Sequence, residues 1–103
     1  MTYAAKRDPK RPPTHPGEIL RETALPALGR TKVEIAELLG ISRQHLNDIL
    51  SEKKPVTPAM AVRIGKLLGN GPDVWVRMQA TYDTWHAARE IDVSRIPTLK
   101  PAA

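Results

Sequence analysis

The sequence predicts an all-α domain of five helices. Three observations carry that expectation. Apolar residues recur at helical spacing in successive blocks, most clearly Trp75, Met78, Tyr82 and Trp85 at intervals of three, four and three. Glycine or proline stands at the ends of those blocks, at Pro26, Gly29, Gly40, Pro58, Gly69 and Pro72. Capping residues precede several of them, at Thr31, Ser42 and Thr57. A chain of 103 residues holds one such domain rather than two.

Residues 1–14 read as a flexible basic arm. Pro9, Pro12 and Pro13 break helix, and Lys6, Arg7, Lys10 and Arg11 face Asp8 alone. The domain proper is expected over 15–90. Pro16-Gly17-Glu18 opens the first helix, with Ile19, Leu20, Ala24 and Leu25 apolar; Pro26 and Gly29 end or interrupt it. Thr31-Lys32-Val33-Glu34 is a capping box, in which the Thr hydroxyl accepts from a free backbone N–H and the Glu side chain reaches back to the cap. Ile35, Ala36, Leu38 and Leu39 supply the inner face of this second helix, and Gly40 closes it.

Ser42 caps the third helix, where Leu46, Ile49 and Leu50 fall on one side. Arg43, Gln44, Asn47, Asp48 and Ser51 fall on the other. Glu52-Lys53-Lys54-Pro55 is a polar turn, and Thr57-Pro58 starts a fourth helix lined by Met60, Ala61, Ile64, Leu67 and Leu68. A fifth runs from Pro72 to about Glu90. Residues 91–103 form either a short strand or an extended tail, with Ile91, Val93, Ile96 and Leu99 apolar.

Several chemistries find no footing here. There is no cysteine, so neither a disulfide framework nor a thiolate metal site, which fits a reducing cytoplasm. No apolar run has membrane-spanning length, and no secretory h-region follows the first residues. His15, His45 and His86 lie far apart and form no metal-ligand spacing. Ser42 and His45 are one helical turn apart, but no acid orients the histidine. Gly69 and Gly71 punctuate helices rather than cradle phosphate. The expectation is a binding protein without cofactor, metal or enzymatic activity.

The net charge of +5 favours a polyanionic partner. The segment from Thr31 to Leu50 says which. Two short helices flank a sharp reversal at Gly40, Ala36 is small where they approach, and Leu46 and Ile49 pin the second helix from inside. That is the economy of a helix-turn-helix whose second helix enters the major groove of double-stranded DNA. Its outer side carries Arg43, Gln44 and Asn47, the guanidinium and amide groups that pair with guanine and adenine edges. A helical hairpin with a merely solvated face would need no such combination.

Outside that unit, His15-Pro16-Gly17-Glu18-Ile19-Leu20-Arg21-Glu22 resembles the opening signature of HigA-type (HigA/VapI-like) antitoxins. These belong to the Xre/Cro-like, or lambda-repressor-like, helix-turn-helix superfamily. Pro26 to Gly29, Lys32 to Leu50, Val56 to Arg63 and the Trp75, Gln79, Tyr82, Asp83, Trp85 pattern continue the likeness over about residues 15–88. The resemblance implies a five-helix Xre/lambda-repressor-like domain that forms a homodimer around the last helix. It also implies binding to an inverted-repeat operator, repression of the chain's own operon, and neutralisation of a HigB-like toxin, a RelE-like mRNA endonuclease. A stand-alone Xre-family repressor without a toxin is the alternative.

Position by position, the resemblance puts Lys32 on phosphate or against the reading helix, and Ser42, Arg43, Gln44 and Asn47 on the groove side. Asp48 lies beside them, either accepting from a cytosine amine or orienting Arg43 or Lys32. His45 reads as a groove-edge or phosphate neighbour. Lys53 and Lys54 are either phosphate contacts or a solvated turn. Tyr82 and Trp85 are either core or the self-association surface that a reader of palindromes needs.

Overall fold

The computed structural model describes residues 10–102, so Lys6 and Arg7 of the expected arm lie outside it. The described residues fold into helices joined by short turns, with no strand among them. Helix α1 begins as Pro16–Ile19 and runs on through a π-helical turn, Leu20–Ala24; a 3₁₀ turn, Pro26–Leu28, follows. Helices α2 (Lys32–Leu39), α3 (Arg43–Leu50), α4 (Pro58–Leu68) and α5 (Asp73–Glu90) complete the domain. None is long and apolar enough to cross a membrane.

The π turn was not foreseen, and it has a packing reason. Leu20 and Leu25 are both buried, although residues five apart on an α-helix point roughly 140° away from each other. The wider turn, closed by the Leu25 N–H on the Leu20 carbonyl at 3.0 Å, brings both onto the core side.

The foreseen caps are present. Thr31 Oγ1 accepts from the Glu34 N–H at 3.1 Å, and Glu34 Oε1 accepts from the Thr31 N–H at 3.3 Å. The Thr31 N–H, joined by the Thr31 hydroxyl donating to the same Oε1 at 3.2 Å, holds the Glu34 carboxyl below the ordinary carboxylate range. Gly40 is left-handed, φ 72°, and the Ile41 N–H reaches the Ala36 carbonyl at 3.0 Å while the Gly40 N–H reaches that of Glu37. That is a Schellman closure.

The core is Leu20, Leu25, Ile35, Ala36, Leu39, Leu46, Ile49, Leu50, Val56, Met60, Ala61, Ile64 and Trp75, with Leu67, Leu68 and Met78 packed on its margin. Leu38 departs from expectation and is 58% exposed. Consecutive helix residues diverge by about 100°, so Leu38 is turned away from Leu39 on the side opposite Ala36. Over residues 91–102 the chain is exposed and extended apart from one turn, closed by the Ile96 N–H on the Val93 carbonyl at 2.9 Å. Of the two forms expected for the tail, it adopts the extended one.

Polar side chains tie the layers together. Gln79, 6% exposed, accepts from the Val56 N–H at 2.8 Å and donates to Asp83 Oδ1 at 2.9 Å, so α5 holds the α3–α4 connection. Arg63 of α4 donates to the Leu39 carbonyl at 2.6 Å. A cation there complements the negative end of α2 and satisfies a carbonyl the helix cannot.

Candidate nucleic-acid interface

The third helix is held from beneath and behind, which leaves its front to present polar groups. Beneath it, Leu46, Ile49 and Leu50 are buried. Behind it stands the start of α1. His15 caps that helix, its Nδ1 accepting from the Gly17 N–H at 2.9 Å, and Pro16 follows at the first helical position. Gly17 is packed against the Ile49 carbonyl with no room for a Cβ. Further along, Arg21 Nη1 donates to the Leu50 carbonyl at 2.6 Å and meets Glu52 Oε2 at 3.4 Å. The first helix therefore grips the C-terminal end of the third through backbone atoms as well as side chains.

The end of α3 is itself a Schellman closure. The Lys53 N–H reaches the Asp48 carbonyl at 2.8 Å and the Glu52 N–H that of Ile49 at 3.0 Å. Glycine is usual at the left-handed position, but here it is Glu52, φ 66°. Its carboxylate holds Arg21, an interaction glycine could not make. The same closure fixes where Lys53 and Lys54 leave the helix.

Each residue singled out in the sequence has a definite place. Lys32 is the first residue of α2 and exposed. Ser42 is the N-cap of α3, its Oγ accepting from the His45 N–H at 3.0 Å, so this hydroxyl is already engaged within the helix. Arg43, Gln44 and Asn47 are exposed on the front, and His45 is half-buried at its edge. Gln44 Nε2 donates to Asp48 Oδ1 at 2.9 Å, while Lys54 Nζ lies 3.6 Å from Asp48 Oδ2. Asp48 thus meets Gln44 and Lys54, rather than the Arg43 or Lys32 considered from sequence.

The structure brings Lys32, Gln44, Asn47, Asp48 and Lys53 around one open cleft, and adds Arg21 and Ser51 to its lining. Arg21, Glu52 and Arg63 are the participants that sequence reasoning missed.

Tyr82 and Trp85 lie away from this cleft, half-buried on α5. The Tyr82 ring meets His15 edge-on at 4.8 Å between centroids and His86 at 4.4 Å. Trp85 carries the Arg89 guanidinium over its ring at 3.9 Å. Both have intramolecular neighbours and both keep part of their surface accessible. No group of three or more His, Cys, Asp or Glu that could hold a metal occurs among the described residues.

Known proteins share this arrangement. The family described as Helix-turn-helix matches residues 20–75, more than half of the chain. The sequence is 36% identical over 72 residues to Virulence-associated protein I of Dichelobacter nodosus, covering 70% of this chain and 67% of that protein. It is 30% identical over 79 residues to the antitoxin HigA-1 of Vibrio cholerae serotype O1, covering 77% of this chain and 74% of that one. A solved structure of the Pseudomonas aeruginosa antitoxin HigA with the higBA promoter is similar at a TM-score of 0.73 and 30% identity, over 84% of this chain and 96% of that one. The chain belongs to the helix-turn-helix family, within its HigA-type antitoxin branch.

Proposed function

We propose that this chain is a dimeric operator-binding antitoxin that represses its own operon and neutralises a HigB-like toxin, a RelE-like mRNA endonuclease. The observation that carries the DNA half is the front of α3. Arg43, Gln44 and Asn47 are exposed together there, with Lys32, Lys53 and Lys54 around them. Guanidinium and amide groups read base edges, and the lysines take phosphates and set affinity. Ser42 joins them on the groove side, and His45 stands at the groove edge or beside a phosphate. Two such helices on a two-fold axis would read half-sites about one helical turn apart. The accessible parts of Tyr82 and Trp85 on α5 are assigned to the dimer contact.

The toxin half rests on the family likeness in the flanking helices, which a helix-turn-helix alone does not require. Two measurements test the whole. A gel shift with the duplex upstream of the chain's own gene should give a sequence-specific complex that random DNA of the same length does not displace. Co-expression with the adjacent reading frame should yield a co-purifying complex and rescue growth from that product's toxicity. A specific shift without any toxic neighbour would leave a stand-alone repressor. The absence of a specific shift would remove the operator reading.

A further inference from the structure

We infer that Asp48 decides which base Gln44 accepts, and that this base is adenine. The inference rests on the DNA-binding reading above and adds a residue that sets specificity without needing to touch DNA.

The starting point is the hydrogen bond from Gln44 Nε2 to Asp48 Oδ1, 2.9 Å long and one helical turn apart. A glutamine amide carries two N–H donors on one end and an acceptor oxygen on the other. Left alone, it can turn by 180° and exchange the two. An ionised carboxylate only accepts, so it fixes the nitrogen end of the amide toward itself. The Asp48 side chain is itself held, at 15% exposure, with its second oxygen 3.6 Å from Lys54 Nζ. Charge assistance makes the Gln44 bond stronger than one between neutral groups.

The consequence lies on the open edge of the amide. One N–H is engaged by Asp48. With Asp48 taking the N–H anti to Oε1, the second N–H lies beside Oε1, and the exposed Gln44 offers one donor and one acceptor side by side. Adenine offers the complement in the major groove, an N7 acceptor beside an N6 donor. Guanine offers two acceptors, N7 and O6, and would set O6 against Oε1. With the amide unable to turn, that mismatch has no local remedy. Asp48 is therefore a positioning residue. Its own charge faces the phosphate field unfavourably and is compensated by Lys54.

Selection of binding sites from randomised duplex DNA tests this with four proteins: wild type, Gln44→Ala, Asp48→Ala and Lys54→Ala. The wild type should enrich a motif with an adenine in each half-site. Gln44→Ala and Asp48→Ala should each weaken that one preference, by roughly tenfold, and leave the other positions of the motif in place. Lys54→Ala should lower affinity while keeping the adenine, because Gln44 and Lys54 use different carboxylate oxygens.

Alanine suits a helix interior and retains the Asp48 backbone carbonyl, so the variant keeps its fold. It should bind random duplex as tightly as wild type or more so, having lost a negative charge; a merely structural role would weaken both. Replacing the selected adenine by 7-deazaadenine should weaken wild type but not Gln44→Ala. Full adenine preference in Asp48→Ala overturns the inference, as does indifference of the wild type to 7-deazaadenine. A wild type that enriches no motif at all overturns the DNA reading itself, so the two failures are distinguishable.

Discussion

The backbone of Gly17 lies against the carbonyl oxygen of Ile49, so closely that no side chain fits between the first and third helices. Alanine at position 17 would push α1 away from the C-terminal end of α3. Overpacking of this kind costs about 1–3 kcal/mol. Gly29 gives a contrast, since it is left-handed at φ 65° but has nothing within 4 Å of where a Cβ would be. Alanine there costs about 1–2 kcal/mol through backbone strain alone. Denaturant melts should register both. Only Gly17→Ala should also lower the ratio of specific to random DNA affinity, because only it displaces α3. An equal ratio in the two variants would contradict the role given to this contact.

The histidine two residues earlier makes the same junction sensitive to acid. His15 is 3% exposed, and its Nδ1 must be unprotonated to accept from Gly17. Burial pushes its pKa below the ordinary 6.5, against the opposing pull of the Glu52 and Asp83 carboxylates. The unfolded chain therefore takes up this proton more readily than the folded one. The resulting stability is complete above pH 6.5, falls as the pH drops from there to the folded-state pKa, and is level below it. Melts at stepped pH should show that decline. His15→Asn keeps a capping acceptor without a titrating ring. It should start lower, having lost the ring contact with Tyr82, and lack this component of the slope. An undiminished slope would place the acid sensitivity elsewhere.

How much of this could be read from sequence depended on how local each cause was. The caps at Thr31, Ser42 and Thr57 and the stop at Gly40 were legible because each depends on residues three to five positions away. The polar front of α3 was legible because a 3.6-residue period separates it from Leu46, Ile49 and Leu50. The supports of that front were not legible. Arg21 reaches Leu50 across 29 positions and Arg63 reaches Leu39 across 24. No periodicity encodes such pairings. Gly17 was visible as part of a motif, but the reason for glycine appears only when the Ile49 carbonyl is seen against it. The Gln44–Asp48 bond is the intermediate case: its four-residue spacing was available in the sequence, yet Asp48 was considered with Arg43 and Lys32 instead.

Gln79 offers a test of the packing beneath the site. Its side chain takes the Val56 N–H, a backbone donor enclosed between α3, α4 and α5. Gln79→Ala would leave that donor without a partner, at a cost of about 1–3 kcal/mol. Gln79→Glu keeps an acceptor for Val56 but sets a carboxylate against Asp83, which Gln79 now serves as donor. Both variants should melt earlier. The glutamate should recover stability as the pH falls and its carboxyl is protonated, whereas the alanine should not. If Gln79→Ala melts with wild type, the loop is held by other contacts.

The front of α3 and the turn behind it should respond differently to salt and sequence. Arg43→Ala removes a group assigned to base edges, so it should cost about 1–3 kcal/mol on the selected operator and little on random duplex. Lys53→Ala removes a group assigned to phosphate, so both DNAs should lose affinity alike, and the slope of log K against log salt should become shallower by about one. Lys54→Ala should do less than Lys53→Ala. Its ammonium already lies 3.6 Å from the Asp48 carboxylate, so part of its charge is neutralised before DNA arrives. Titrations of both duplexes at three salt concentrations separate these outcomes. Equal losses from Arg43→Ala on operator and random DNA would remove Arg43 from base reading. An unchanged slope in the Lys53→Ala, Lys54→Ala double variant would return both lysines to a solvated turn.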